Sequence, residues 1–438
     1  MSQLLNGQFM IKGLAIAVTT LMVGTAHAAK TEQQQIQELR QEVEALKSLI
    51  QQQQQVQQQQ QTQIAQVQQA KPAAPASALS SLKSKSGADV SIYGFVRGDA
   101  NYIIDGADSD FNSTHAVGNA TTKSTKDKLV ATAKVTRLGL DFNTPVGDNK
   151  VGGKVEVDFA SSDNSKSENL RIRHAYLTFN DWLFGQTTSS FASVHAPEMI
   201  DFSTNIGGSG GSARVPQVRY SQKLAPATQL YVSAEEGNSK ATETGDLSYR
   251  LPVLTAKVTQ GFADGKGLAS ARALVEHYKS DAANDDKTGW GAAVGANYQV
   301  VEPLKVSADV AYMKGNSNHL YGSNSAYSVV GNSIEQNEAV AVQVGATYNF
   351  SPKLRSTLAY GALFADDSTD YARAAAVAVT AATNADANEK VQQAWINFIY
   401  SPVKPVDLGI EYINGERETF KGQKFSDDRV GFMARYSF

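Results

Sequence analysis

The sequence predicts an all-β protein, a transmembrane barrel of sixteen antiparallel up-and-down strands, preceded by an α-helical coiled coil. Three observations carry this reading. From Asp89 onward, apolar residues recur with a period of two. Seven short connections alternate with eight long ones over the same stretch. Aromatic residues gather beside the short connections. Bulk composition alone suggests a soluble chain, with 438 residues, 42% hydrophobic and a formal charge of −3. The absence of cysteine excludes a disulfide scaffold and thiolate chemistry. The near-neutral charge offers no basic face for nucleic acid.

Lys12 precedes the apolar run Gly13 to Gly24, and Ala26-His27-Ala28 follows with small residues at the −3 and −1 positions of a cleavage site. Residues 1–28 are therefore predicted to be a signal peptide, its core too short to span a bilayer. In 29–70, Ile36, Leu39, Val43, Leu46 and Ile50 follow a 3-4-3-4 spacing. The register runs through Gln53, Gln57 and Gln60 to Ile64 and Val67, a coiled coil with polar central layers. A disordered Gln-rich spacer is the alternative. Residues 71–88, rich in Ala, Ser and Pro, read as a linker, and 89–438 as the barrel.

Within the barrel region, Val151, Val155, Val157 and Phe159 share one face and Lys154, Glu156 and Asp158 the other. Val430 to Phe438, Val340 to Phe350 and Leu304 to Tyr312 alternate in the same way, as half-buried strands do. Short connections fall at 144–149, 180–181, 222–228, 263–266, 301–303, 351–352 and 402–405. Long ones fall near 104–127, 161–168, 189–213, 237–252, 280–287, 316–336, 366–389 and 418–426. Sorting of loops by length to opposite ends is a barrel property that a soluble sandwich has no reason to share. Phe142, Phe179, Trp182, Phe262, Tyr298, Phe350, Phe398 and Tyr400 flank the short turns, where an interfacial girdle is expected.

Sixteen strands enclose an aqueous channel whose lining sets selectivity. After loss of the signal peptide the eight long loops sum to −11, while strands and short turns together carry +5. Charge on a lipid-facing position costs about 2–4 kcal/mol at mid-depth, so wall bases should point inward. Strand parity places Arg97, Arg137, Lys154, Arg219, Lys257, Arg272, Lys305 and Arg355 there. Wall ion pairs with Asp99, Asp141, Glu156 or Asp158 account for some of them. Arg171 and Arg173 share parity with outward Leu177 and Phe179, so their orientation is ambiguous. They belong above the membrane, at a subunit interface or beyond a bulge. The surplus favours small anions, since guanidinium and ammonium groups pair with carboxylates. The long loop Ser189 to Ala213 carries His195, Glu198, Asp201 and a Gly-rich run, and is expected to fold inward as a constriction, its two acids facing the wall bases.

The signal peptide, Gln-rich coil and Pro/Ala linker precede the opening strand Ile92-Tyr-Gly-Phe-Val-Arg-Gly-Asp99. Arg173-His-Ala-Tyr176 and Gly185-Gln-Thr-Thr188 follow. In that order, over essentially the whole chain, they resemble DcaP-type porins of Gram-negative bacteria. The resemblance implies a homotrimeric outer-membrane porin with its coil in the periplasm, taking up dicarboxylates and related small anions. The terminal Phe438 resembles the C-terminal signal read by the barrel-assembly machinery of outer-membrane proteins. The acidic external loops depart from an anion channel and leave the exact solute open.

Other classes fit less well. The mature histidines are His115, His174, His195, His277 and His319, with no metal-ligand spacing and no constellation for catalysis. No enzyme, metal or cofactor is expected. A sugar-specific porin calls for an inward aromatic track, for which only Tyr93, Phe95 and Tyr231 have the right parity. A structural protein tethering the outer membrane to the cell wall through its coil is the third alternative.

Overall fold

A computed structural model of the chain describes residues 82–85, 87–160, 169–202, 206–208, 214–241, 245–380 and 384–438. The signal peptide, the coiled coil and two thirds of the linker expected before the barrel lie outside the described residues.

Period-two alternation is realised in sixteen strands. They are β1 (Asp89–Ala107), β2 (Ser124–Thr132 and Arg137–Val146), β3 (Asn149–Asp158), β4 (Arg171–Phe179), β5 (Trp182–Thr188), β6 (Arg214–Ala225), β7 (Thr228–Glu235), β8 (Val253–Phe262), β9 (Gly267–Ser280), β10 (Asp285–Val301), β11 (Leu304–Lys314), β12 (Glu338–Ser351), β13 (Leu354–Ala365), β14 (Asn388–Val403), β15 (Val406–Thr419) and β16 (Lys424–Ser437). Each pairs antiparallel with the next, and β16 pairs with β1 from Phe95↔Ser437 to Asp105↔Asp428, which closes the sheet into a barrel without a free edge. At the seam Phe438 N–H donates to Gly94 O at 3.0 Å and Gly94 N–H to Phe438 O at 3.2 Å. A Cβ on Gly94 would lie 2.2 Å from Arg137 O, so only glycine permits this approach.

The outward row is apolar. Phe179, Trp182, Phe262, Tyr298, Phe350, Phe398 and Tyr400 are all exposed beside the short turns, as expected of a girdle. Phe262 of β8 and Tyr298 of β10 stack there at 5.9 Å across Gly267 of the strand between them. The turns follow their residue chemistry. Gly147 and Asn180 take positive φ (58° and 51°) in two-residue connections, where asparagine and glycine tolerate the left-handed region. Two connections expected to be long are short, since β9 runs to Ser280 and β10 starts at Asp285, and β15 and β16 enclose only 420–423. Their outer ends are polar, so hydrogen bonding continues beyond the apolar alternation that marks a strand in sequence.

Strand β2 breaks at 133–136. Thr136 repairs the ladder there: its hydroxyl accepts from Arg97 N–H at 3.1 Å and donates to Arg97 O at 3.3 Å. Leu82–Lys83, within the expected linker, fold back antiparallel on Val90 and Asp89, joined by a Lys83–Asp89 ion pair. Among the described residues no helix is long and apolar enough to cross a membrane; the eight-residue helix Asp370–Val377 sits in the loop between β13 and β14.

Candidate functional site

The inward row is polar except for three apolar patches, and those patches are where a loop seats. Phe191 joins Leu274, Ala293, Met313 and Leu363 of the wall. Met199 packs against Trp395 and Ile413, and Ile200 against Ile399 and Met433. All three belong to the 189–213 loop, so these wall residues form a core between loop and barrel. The loop backbone also lies tight on the wall: a Cβ on Gly361 would stand 1.8 Å from Ile206 O.

Side chains complete the attachment. Ser190 N–H donates to Glu235 at 3.0 Å. His195 Nε2 meets Ser270 Oγ at 2.8 Å, and Nδ1 meets Asn297 Nδ2 at 3.1 Å. The amide donates, so the ring carries its proton on Nε2. Burial, with Arg272, Lys257 and Lys305 around it, pushes the His195 pKa down to about 4 and keeps the ring neutral. Glu198 is held by Arg355 of β13 and does not reach across to the opposite wall. Asp201 accepts from Asn112 N–H at 3.0 Å, which joins the 189–213 loop to the 108–123 loop. Phe111 and Phe202 add a ring contact at 5.7 Å between the same two loops.

The eight wall bases divide into two groups. Arg97 is buried against Asp99 at 2.5 Å and also donates to Ile200 O of the loop. Arg272 and Asp309 form a fully buried pair at 2.5 Å, and this pair withholds Arg272 from any solute. Lys154 pairs with Asp141 at 3.1 Å, Arg137 with Glu156 at 3.4 Å, and Arg355 with Glu198. Arg219 and Lys257 hold only neutral groups: Arg219 bonds Gln217 and Thr188 O, while Lys257 contacts Ala192 O at 3.4 Å and lies over the Tyr231 ring at 5.2 Å. The Lys305 side chain makes no ion pair with any described residue.

Arg171 and Arg173 bond buried carboxylates of β3. Arg171 pairs with Asp158, and Arg173 with both Glu156 and Asp158, all at 2.8 Å. A bulge explains how. The register slips between Glu156↔His174 and Val157↔Ile172, so parity reverses along β4. Ile172 and Leu177 are then both outward.

Sequence reasoning missed Arg214, the first residue of β6, which stands within electrostatic reach of Arg137, Arg171 and Arg173. Four guanidinium groups thus surround two carboxylates, Glu156 and Asp158. It also missed Phe202, whose ring lies 5.9 Å and 5.6 Å from the Arg171 and Arg173 guanidinium groups. Glu411 was missed as well, although an acid at an inward position between Ile410 and Tyr412 was a readable signal. Among the described residues no cluster of His, Asp and Glu could hold a metal ion.

A charged inner wall, an apolar outer wall and inserted loops describe a channel through a membrane, and comparison with known proteins agrees. The crystal structure of the outer membrane channel DcaP of Acinetobacter baumannii is 65% identical, with 82% of this chain and all of that one covered at a TM-score of 0.76. OmpT of Vibrio cholerae (16% identity, 82% and 100% covered, TM-score 0.52) and Salmonella typhi OmpF in complex with daunomycin (14%, 80% and 97%, 0.51) share the fold. No curated protein sequence matches the chain. The model of the DcaP outer membrane protein family matches residues 21–438, and the chain belongs to that family of outer-membrane channels.

Proposed function

We propose that the channel is a homotrimeric diffusion pore for small anions, with dicarboxylates as preferred solutes. One observation carries this: the wall from β2 to β8 bears more cations than its carboxylates neutralise. Arg137, Arg171, Arg173 and Arg214 share Glu156 and Asp158, and Arg219 and Lys257 bond to no carboxylate and share only Glu235 at longer range. Guanidinium groups in this density bind a carboxylate bidentately and release it to the next, as conduction requires. The 189–213 loop, with His195, Glu198 and Asp201, narrows the passage and brings Ala192 O to Lys257 and the Phe202 ring to Arg171 and Arg173.

The sugar-porin alternative is weakened by the inward aromatics themselves. Lys154 lies over the Tyr93 ring at 4.5 Å and Lys257 over Tyr231, so these faces already carry a cation. The coiled coil is assigned to the periplasm, where it organises the trimer, and Phe438 to recognition by the assembly machinery. Deleting 29–86 separates this role from a cell-wall tether: uptake survives the deletion if the coil only organises the pore.

The test of solute class is current block in planar bilayers. A four-carbon dicarboxylate added to one side should reduce chloride current in a saturable way, and a neutral disaccharide should not. Block by the sugar alone would overturn the assignment.

A further inference from the structure

We propose that Glu411 is the positioning residue that sets the bore of the channel, by holding the 189–213 loop from behind. This rests on reading that loop as the constriction. A connection of this length stays mobile unless its backbone groups find partners. Here they do, in one short stretch. Ile200 N–H and Asp201 N–H donate to the two oxygens of Glu411 at 2.8 Å and 2.7 Å. Asn397 bridges, donating to the same carboxylate at 2.9 Å and to Glu198 O at 3.0 Å. Trp395 Nε1–H donates to Glu198 O at 3.0 Å, and Arg97 to Ile200 O. Met199 and Ile200 fill the wall patches on either side.

A carboxylate that is 1% exposed is costly unless several donors satisfy it. Glu411 faces the loop backbone and contacts no solute path, so its placement is explained by the loop. Both oxygens of one carboxyl group accept from consecutive N–H groups, a two-point hold that a single amide oxygen does not supply. Gly409 leaves the room required, since a Cβ there would be 2.5 Å from Ile200 Cδ1.

The test uses the full-length channel reconstituted in planar bilayers. Glu411→Gln keeps the shape but turns an amide NH2 toward one of the loop N–H groups. It should raise conductance and open-channel noise. Glu276→Gln is the control, because Glu276 is equally buried but holds Ser239, Tyr249 and Asn316, none of which belongs to this loop; it should leave the conductance as it was. The chain has no cysteine, so a single tether can be introduced. A Cβ on Gly409 would be 3.4 Å from Ile200 Cγ1, the place a sulfur at position 200 would take, so sulfurs on the two residues are within reach of each other. Adding I200C and G409C to the Glu411→Gln channel should restore quiet, wild-type openings when oxidised and lose them when reduced. Wild-type conductance and noise in Glu411→Gln, or the same disturbance in Glu276→Gln, would overturn the proposal. Neither readout depends on the sign of the ion preferred, so the result is separable from the anion reading.

Discussion

Arg355 grips Glu198 through two parallel hydrogen bonds of 2.7 Å, Nε–H to Oε2 and Nη2–H to Oε1. The pair ties the loop to β13 and turns the loop's acid away from the cationic wall. The pair is partly exposed and bidentate, so its coupling should be about 1 kcal/mol in a double-mutant cycle of Arg355→Ala and Glu198→Gln. Arg355→Ala alone should also free a negative charge into the passage and lower the anion-to-cation permeability ratio. Glu198→Gln should not lower it.

Arg272 and Lys257 stand on adjacent strands as direct partners, Lys257↔Arg272, yet differ in role. Arg272→Ala strands the buried Asp309 charge and should cost about 3–5 kcal/mol. Lys257→Ala leaves no carboxylate without a partner and should cost far less, while weakening dicarboxylate block. Thermal unfolding of the folded barrel together with block titration checks both halves.

His195 gives a pH dependence. Its pKa is about 4 when folded, below the ordinary 6.5, because burial and three neighbouring cations oppose protonation. A depressed folded pKa means that its stabilising share is complete above about pH 6.5 and is lost as pH falls toward 4. Unfolding midpoints measured from pH 7 to 4 should fall less steeply in His195→Gln than in the wild type.

Gly361 tests loop packing. An added methyl there would collide with Ile206 O, a backbone atom that cannot rotate away. Gly361→Ala should destabilise by about 1–3 kcal/mol and push the loop off β12 and β13, with a larger and noisier conductance. Gly98→Ala, with open space around its Cβ position and no left-handed backbone, should leave conductance unchanged.

The barrel was legible because each lipid-facing position must be apolar and each alternate one need not be. Val155, Val310 and Val344 announce the outward face by that rule alone. The rule fails where its physical cause is absent. Above the membrane His277 to Ser280 and Asp285 to Thr288 still pair but need not be apolar, so two loops read as longer than they are. One extra residue near Arg173 reverses parity without any mark in composition. The site was legible as a set of inward bases, and its division into paired and unpaired members was not. Arg272 with Asp309, or Arg355 with Glu198, are separated by 37 and 157 residues, contacts that only the closed barrel brings together.

Surplus positive charge on the β2 to β8 wall is tested most directly by the zero-current potential across a bilayer under a potassium chloride gradient. The wild-type channel should reverse on the chloride side of zero. Arg219→Glu with Lys257→Glu should move the potential toward zero or past it. A wild-type reversal on the potassium side, unchanged by those two substitutions, would mean that the unpaired bases of the wall do not govern what passes.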